Sequence, residues 1–215
     1  NINDSKVEVL RDIRHQNFIG DSHTIPIFYA MREVTKNLSL NLFVGAKMWH
    51  LKELSSQIES CIFSQNQNKT TFWISFGEID CRINEGIISY SAKSNQSIYQ
   101  IADNTLLEFE ILINSIFKFI SHSTNFNIIS LPDEYSIKNP IPSSNLFPHM
   151  NSEINSLRSI LIKYININLK LLCNKYGCNF INYPISKIDF CDDKIHLSLN
   201  YWRNLLLEGS LNMFL

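Results

Sequence analysis

The 215 residues are 45% hydrophobic and 12% aromatic, which suits a chain that buries its own core and excludes a disordered one. With 19 basic and 20 acidic residues the formal net charge is −1, so neither nucleic acid nor an anionic membrane surface is an expected partner. The cysteines, Cys61, Cys81, Cys173, Cys178 and Cys191, follow no disulfide framework and no metal-pair spacing, and no apolar run reaches the ~20 residues of a membrane span.

Unpaired thiols in odd number suit a reducing, cytoplasmic compartment. A start at Asn1 rather than Met fits a processed chain or one cut from a longer protein. Without linker, repeat or low-complexity tract, residues 1–215 are expected to form a single domain.

The first strand is predicted at 16–20, followed by a helix over 24–34. A second strand at 40–45 precedes a helix over 50–63, and a third covers 71–77. Residues 84–96 then read as a long connection. A stronger helical pattern spans 97–121, with Ile101, Leu106, Phe109, Leu112, Ile113, Ile116, Phe117 and Ile120 near helical spacing. A fourth strand at 126–131 leads into the proline-bearing connection 132–150, then a helix over 152–176 closed by Gly177. A fifth strand is expected at 179–183 and a last helix after Ser198.

Strands alternating with helices imply βαβ units, and short unbroken apolar strands suit a sheet covered on both faces. The expected fold class is α/β: a three-layer α/β/α sandwich on a five-stranded parallel sheet, flavodoxin-like. Ligands of such a sheet bind beyond the carboxyl ends of its strands. Gly20, Gly45 and Gly77 end the first three predicted strands and mark that edge. The connections 84–96 and 132–150 leave from the same edge as expected substrate walls.

The sharpest string at that edge is Phe18-Ile19-Gly20-Asp21-Ser22-His23-Thr24. A serine just past a buried strand, opening a helix, places its own N–H near the positive helix end. That suits a nucleophile whose product is an oxyanion. Taken alone the G-D-S string is a weak signal, and Asp21 and Ser22 read more readily as a turn and N-cap. Near the other end stands Asp193-Lys194-Ile195-His196. This spacing puts both groups on one turn, so Asp193 can hold the imidazole Nδ1–H while Nε2 faces a serine. Asp192 is a rival with a less suitable offset.

The two strings, in this chain order, resemble the SGNH or GDSL-like hydrolases, and the resemblance spans about residues 16–205. It implies an α/β/α sandwich and a Ser22–His196–Asp193 triad. It also implies an oxyanion hole built from the N–H groups of Ser22 and Gly45, the latter in Phe43-Val44-Gly45-Ala46. The third block departs from the family's G-x-N-D, reading Gly77-Glu78-Ile79-Asp80-Cys81-Arg82. Isoleucine cannot donate a hydrogen bond, and a missing oxyanion donor typically costs about 10²–10³ in turnover. Glu78 and Asp80 add negative charge that opposes an oxyanion unless neutralised. Arg82 is their obvious partner, either as an ion pair or as a substrate contact that completes the hole. Asp21, His23, Gly77, Glu78, Asp80 and Arg82 are therefore expected to shape the site.

The expected activity is acyl transfer from a small-molecule or glycan ester. Ser22 attacks, His196 takes the proton, and water resolves the acyl-enzyme. With an acceptor alcohol in place of water, the same triad makes an acyltransferase. A non-catalytic binding domain is the third reading, favoured by the absent Asn. Cys81 is a rival nucleophile, while Trp49, Trp73 and Trp202 are expected in the core or pocket wall. No metal or other cofactor is expected, since His15, His50, His122 and His149 lack ligand spacing and no dinucleotide, P-loop or G-x-S-x-G motif occurs. The sequence leaves the oligomeric state open.

Overall fold

The computed structural model describes residues 14–65, 69–83, 85–120, 124–132, 151–182 and 198–207, with only the helical backbone of 151–155. Strands and helices alternate as expected: β1 (His15–Gly20), α1 (Thr24–Met31), β2 (Leu38–Leu42), α2 (Leu51–Phe63) and β3 (Thr70–Ser75). Then come α3 (Ile87–Ser94), α4 (Ile98–Phe117), β4 (Asn125–Ile129), α5 (Asn151–Tyr176), β5 (Asn179–Ile181) and α6 (Leu199–Leu207). Single 3-10 turns occupy Met48–His50 and Ile79–Cys81.

The five strands form one parallel sheet in the order β2-β1-β3-β4-β5. Successive strand residues face opposite layers. In register, Phe18 pairs with Trp73 and Ile19 with Ile74. The rings of Phe18 and Trp73 stack at 5.7 Å on one face, and Trp73 Nε1 donates to the buried Gln16 Oε1 at 2.8 Å. On that face Ile27, Ala30 and Met31 of α1 meet Tyr201, Trp202 and Leu205 of α6. The opposite face lays Ile58 and Ile62 of α2, Phe109 and Ile113 of α4 and Leu161 and Ile165 of α5 over Ile19, Phe72, Ile74, Phe126 and Ile128. The three-layer sandwich read from the sequence is thus present.

Two local expectations need correction. Residues 84–96 are not a bare connection, because α3 occupies Ile87–Ser94 and ends on Asn95 at φ 57°. Its serines hide the helix, but Ile87 and Ile88 are buried and supply its apolar face. β2 ends at Leu42, short of the predicted 45. Phe43 N–H makes the last rung, to Gly20 O at 2.8 Å, and the chain then turns away, leaving Val44 78% exposed. Local apolarity extended the predicted strand, while pairing with β1 decides where it stops.

Gly20 closes β1 tightly against β3: an added Cβ would lie 2.2 Å from Ser75 O. Asp21 N–H donates to the same oxygen at 3.1 Å, so retreat of the strand breaks a buried bond. Gly20→Ala is expected to cost about 1–3 kcal/mol. The measure is a lower urea midpoint at unchanged m; a wild-type midpoint would show that the two strands have room to part.

Candidate active site

From β1 the chain passes to β2 on one side and then to β3 on the other, so the topological switch lies between β1 and β3. Beyond the carboxyl ends stand the turn 21–23 after β1, the loop 43–50 after β2 and the segment 76–86 after β3. Ser22 sits half-buried in the first of these, between buried Asp21 and His23. The turn is firmly held. Asp21 Oδ1 accepts from His23 N–H at 2.9 Å, Asp21 O from Thr24 N–H at 3.1 Å, and Ser22 O from Ile25 N–H at 3.2 Å. Burial raises the Asp21 carboxyl above its ordinary range, against the opposing pull of His23.

In the neighbouring loop Ala46 N–H donates to Phe43 O at 3.1 Å and closes a turn around Gly45. Gly45 is exposed, and a Cβ there would touch nothing. Its φ of +75° is what calls for glycine. The Gly45 N–H donates to no acceptor among the described residues.

The third segment carries the charge. Glu78 is 4% exposed, and Arg82 Nε donates to its Oε2 at 2.8 Å. Arg158, on α5, donates through Nη2 to Glu78 Oε1 at 3.2 Å and through Nε to Cys81 O at 3.1 Å. His23 Nε2 lies 3.0 Å from Glu78 Oε2. Burial by itself would raise the Glu78 carboxyl, but the His23 contact and the charges of His23, Arg82 and Arg158 outweigh it and hold Glu78 at about 2. Arg82 also donates through Nη1 to Glu85 Oε1 at 2.8 Å. Asp80 is fully buried and accepts Met48 N–H on Oδ2 at 2.7 Å. Burial pushes its carboxyl up to about 7 despite the N–H groups of Met48 and Trp49. The charge expected of Glu78 and Asp80 is therefore met by different means, ion pairing at one and burial with partial protonation at the other.

Ile79 is 3% exposed, and its side chain supplies no donor. Cys81 is wholly buried, and burial drives its thiol well above the ordinary value, away from nucleophilic form. Trp73 and Trp202 are core residues, and Trp49 packs edge-on to Tyr90 at 5.7 Å. His15 bonds Asn37 and Ser39 at the far end of β1. Asp193 and His196 fall between β5 and α6, outside the described residues. The described residues hold no group of ligands for a metal and no helix long and apolar enough to cross a membrane.

Sequence reasoning missed Arg158. The signal existed: a cation on the stripe Arg158, Leu161, Ile162, Ile165 and Leu169, all buried.

No family model matches the sequence, and no curated protein matches it either. Solved structures do resemble the fold. An extracellular lipase from Streptomyces rimosus superposes at TM-score 0.58 and 11% identity, over 93% of this chain and 99% of that one. A lipase from goat rumen metagenome gives TM-score 0.61 and 13% identity, over 93% and 97%. Phospholipase A1 from Streptomyces albidoflavus gives 0.55 and 9%, over 94% and 100%. At such identities the likeness is one of architecture, and the architecture of this chain is that of the SGNH hydrolases.

Proposed function

We propose that the chain hydrolyses a small acyl ester, with Ser22 as nucleophile, His196 as general base and Asp193 orienting the imidazole. The observation that carries this is the place of Ser22: half-exposed just past the carboxyl end of β1, at the switch point, in the turn that leads into α1. Its neighbours by fold are named as lipases and a phospholipase, which supports an ester as substrate class.

The position of α6 supports the base. In a parallel sheet every helix following a strand begins at the carboxyl edge. α1 follows β1 and α6 follows β5, and the two pack side by side through Ile27, Met31, Tyr201 and Trp202. Ser198 leads into α6 and His196 is two residues before it, so the packing of α6 beside α1 supports a base from this stretch for Ser22. Ser22 Oγ attacks the ester carbonyl as His196 takes its proton. The oxyanion is met by the N–H groups of Ser22 and Gly45. His196 then protonates the leaving alkoxide, and water resolves the acyl-enzyme. Arg82 pairs with Glu78 and Glu85, so the buried Glu78 carboxylate carries its own countercharge.

With p-nitrophenyl acetate, His196→Ala is expected to lower kcat by about 10²–10⁴-fold at similar KM, and Asp193→Ala by a comparable factor. Wild-type kcat in His196→Ala would remove the triad.

A further inference from the structure

We infer that Asp80 is the positioning residue for the Gly45 N–H, its carboxylate clamping the loop after β2 onto the segment after β3. The catalytic consequence rests on the ester-hydrolase reading, whereas the clamp itself is a matter of geometry. Gly45 stands at the exposed tip of a loop that has left the sheet. Behind Gly45, the first turn is fixed by Phe43 and Ala46. Ahead of it, the polar attachments run to the segment after β3. Asp80 Oδ2 accepts Met48 N–H at 2.7 Å, and Trp49 N–H is also directed at the carboxylate. Lys47 Nζ donates to Glu85 O at 2.6 Å. Met48 Cε packs so closely on Gly77 that a Cβ there would stand 2.7 Å away.

Asp80 is the buried charged group of this set, and its other oxygen, Oδ1, has no hydrogen-bond partner among the described residues. A carboxyl kept there at a desolvation cost is a weak contributor to stability. Its bond lands three residues past Gly45, on the only stretch between that glycine and α2. Because Ile79 offers no donor, the Gly45 N–H carries a larger share of the oxyanion hole, and its placement matters more.

The charged and titratable groups around Asp80 are Asp21 beyond β1, His23 at the start of α1, and Lys47 on the clamped loop. Glu78, Cys81 and Arg82 lie on its own segment, and Arg158 reaches that segment from α5 through Glu78 and the Cys81 carbonyl. All of them persist in Asp80 variants, so a change confined to position 80 is separable from theirs.

Asp80→Ala deletes the acceptor, while Asp80→Asn keeps an oxygen in place and removes the ionisation. In the full chain labelled with ¹⁵N-glycine, the Gly45 amide resonance is assigned by its loss in Gly45→Ala. It is expected to move in Asp80→Ala and to stay near its wild-type position in Asp80→Asn. It is also expected to titrate with a midpoint near pH 7 in the wild type and to be flat through that range in Asp80→Asn. With p-nitrophenyl acetate, Asp80→Ala should lose about 10- to 10²-fold in kcat at little-changed KM, and Asp80→Asn should recover most of it. An unmoved Gly45 resonance in Asp80→Ala overturns the inference, as does an equal kcat loss in both variants with Gly45 in place in each. If Asp80→Ala does not fold, a Gly45 resonance that still titrates near pH 7 in Asp80→Asn overturns it. A wild-type chain that turns over no ester would remove the hydrolase reading and leave the resonance to decide the clamp.

Discussion

Ser22→Ala is expected to lower kcat for an activated ester by about 10⁴- to 10⁶-fold while leaving thermal stability within about 0.5 kcal/mol of wild type. The size follows from what the hydroxyl does: without it no acyl-enzyme forms, and only binding and the oxyanion N–H groups remain to accelerate attack by water. Stability is spared because the turn is held by other groups. Asp21 Oδ1 still accepts from His23 N–H, and the Ser22 carbonyl still accepts from Ile25 N–H, since both bonds belong to the backbone or to Asp21. Steady-state kinetics and a melting curve on one preparation check both halves. Retention of more than about a hundredth of wild-type kcat would point to another nucleophile.

Arg158→Met is expected to cost about 1–3 kcal/mol of stability, because it takes one cation from a buried carboxylate and a donor from the buried Cys81 carbonyl. Arg158 is 1% exposed and bonds both Glu78 and the Cys81 carbonyl, tying α5 to the segment after β3. Arg82 and His23 remain beside Glu78, but Arg82 is partly solvated and shared with Glu85. The pH dependence has a definite sign. Glu78 is lowered from its ordinary 4.5 to about 2 in the folded protein, so its contribution is complete above about pH 4.5 and is lost as pH falls toward 2. Losing the guanidinium raises that carboxyl and moves acid unfolding to higher pH. Urea unfolding at neutral pH and an acid titration followed by circular dichroism measure the two effects. Adding Glu78→Gln to Arg158→Met is expected to restore about 1 kcal/mol, since the under-compensated buried charge is then gone. A single variant within about 0.5 kcal/mol of wild type would show that the pair contributes nothing.

Much of this was legible in the chain because local patterns and global fold agree. Phe18, Ile19, Trp73 and Ile74 form unbroken apolar runs, and a sheet covered on both faces asks for that. Gly20 before Asp21-Ser22 marked the end of β1 because a strand closing on Ser75 leaves no space for a side chain. What escaped has physical reasons. α3 is eight residues long and rich in serine, too short for periodicity to outweigh composition. Arg158 and Glu78 lie 80 residues apart, and nothing local pairs them. Asp80 is visible as a residue, but its partner is the Met48 backbone N–H, a donor that every non-proline residue carries and no sequence pattern reveals. Ile79 was legible as a departure, while the way its neighbours balance charge without an Asn needed the third dimension.

The most direct test is to treat the full chain with a fluorophosphonate and map the adduct by peptide mass spectrometry. A single phosphonylated residue, Ser22, formed in the wild type and strongly slowed in His196→Ala, is the expected result. An adduct on any other residue, or labelling that survives Ser22→Ala, would contradict a serine nucleophile at the end of β1.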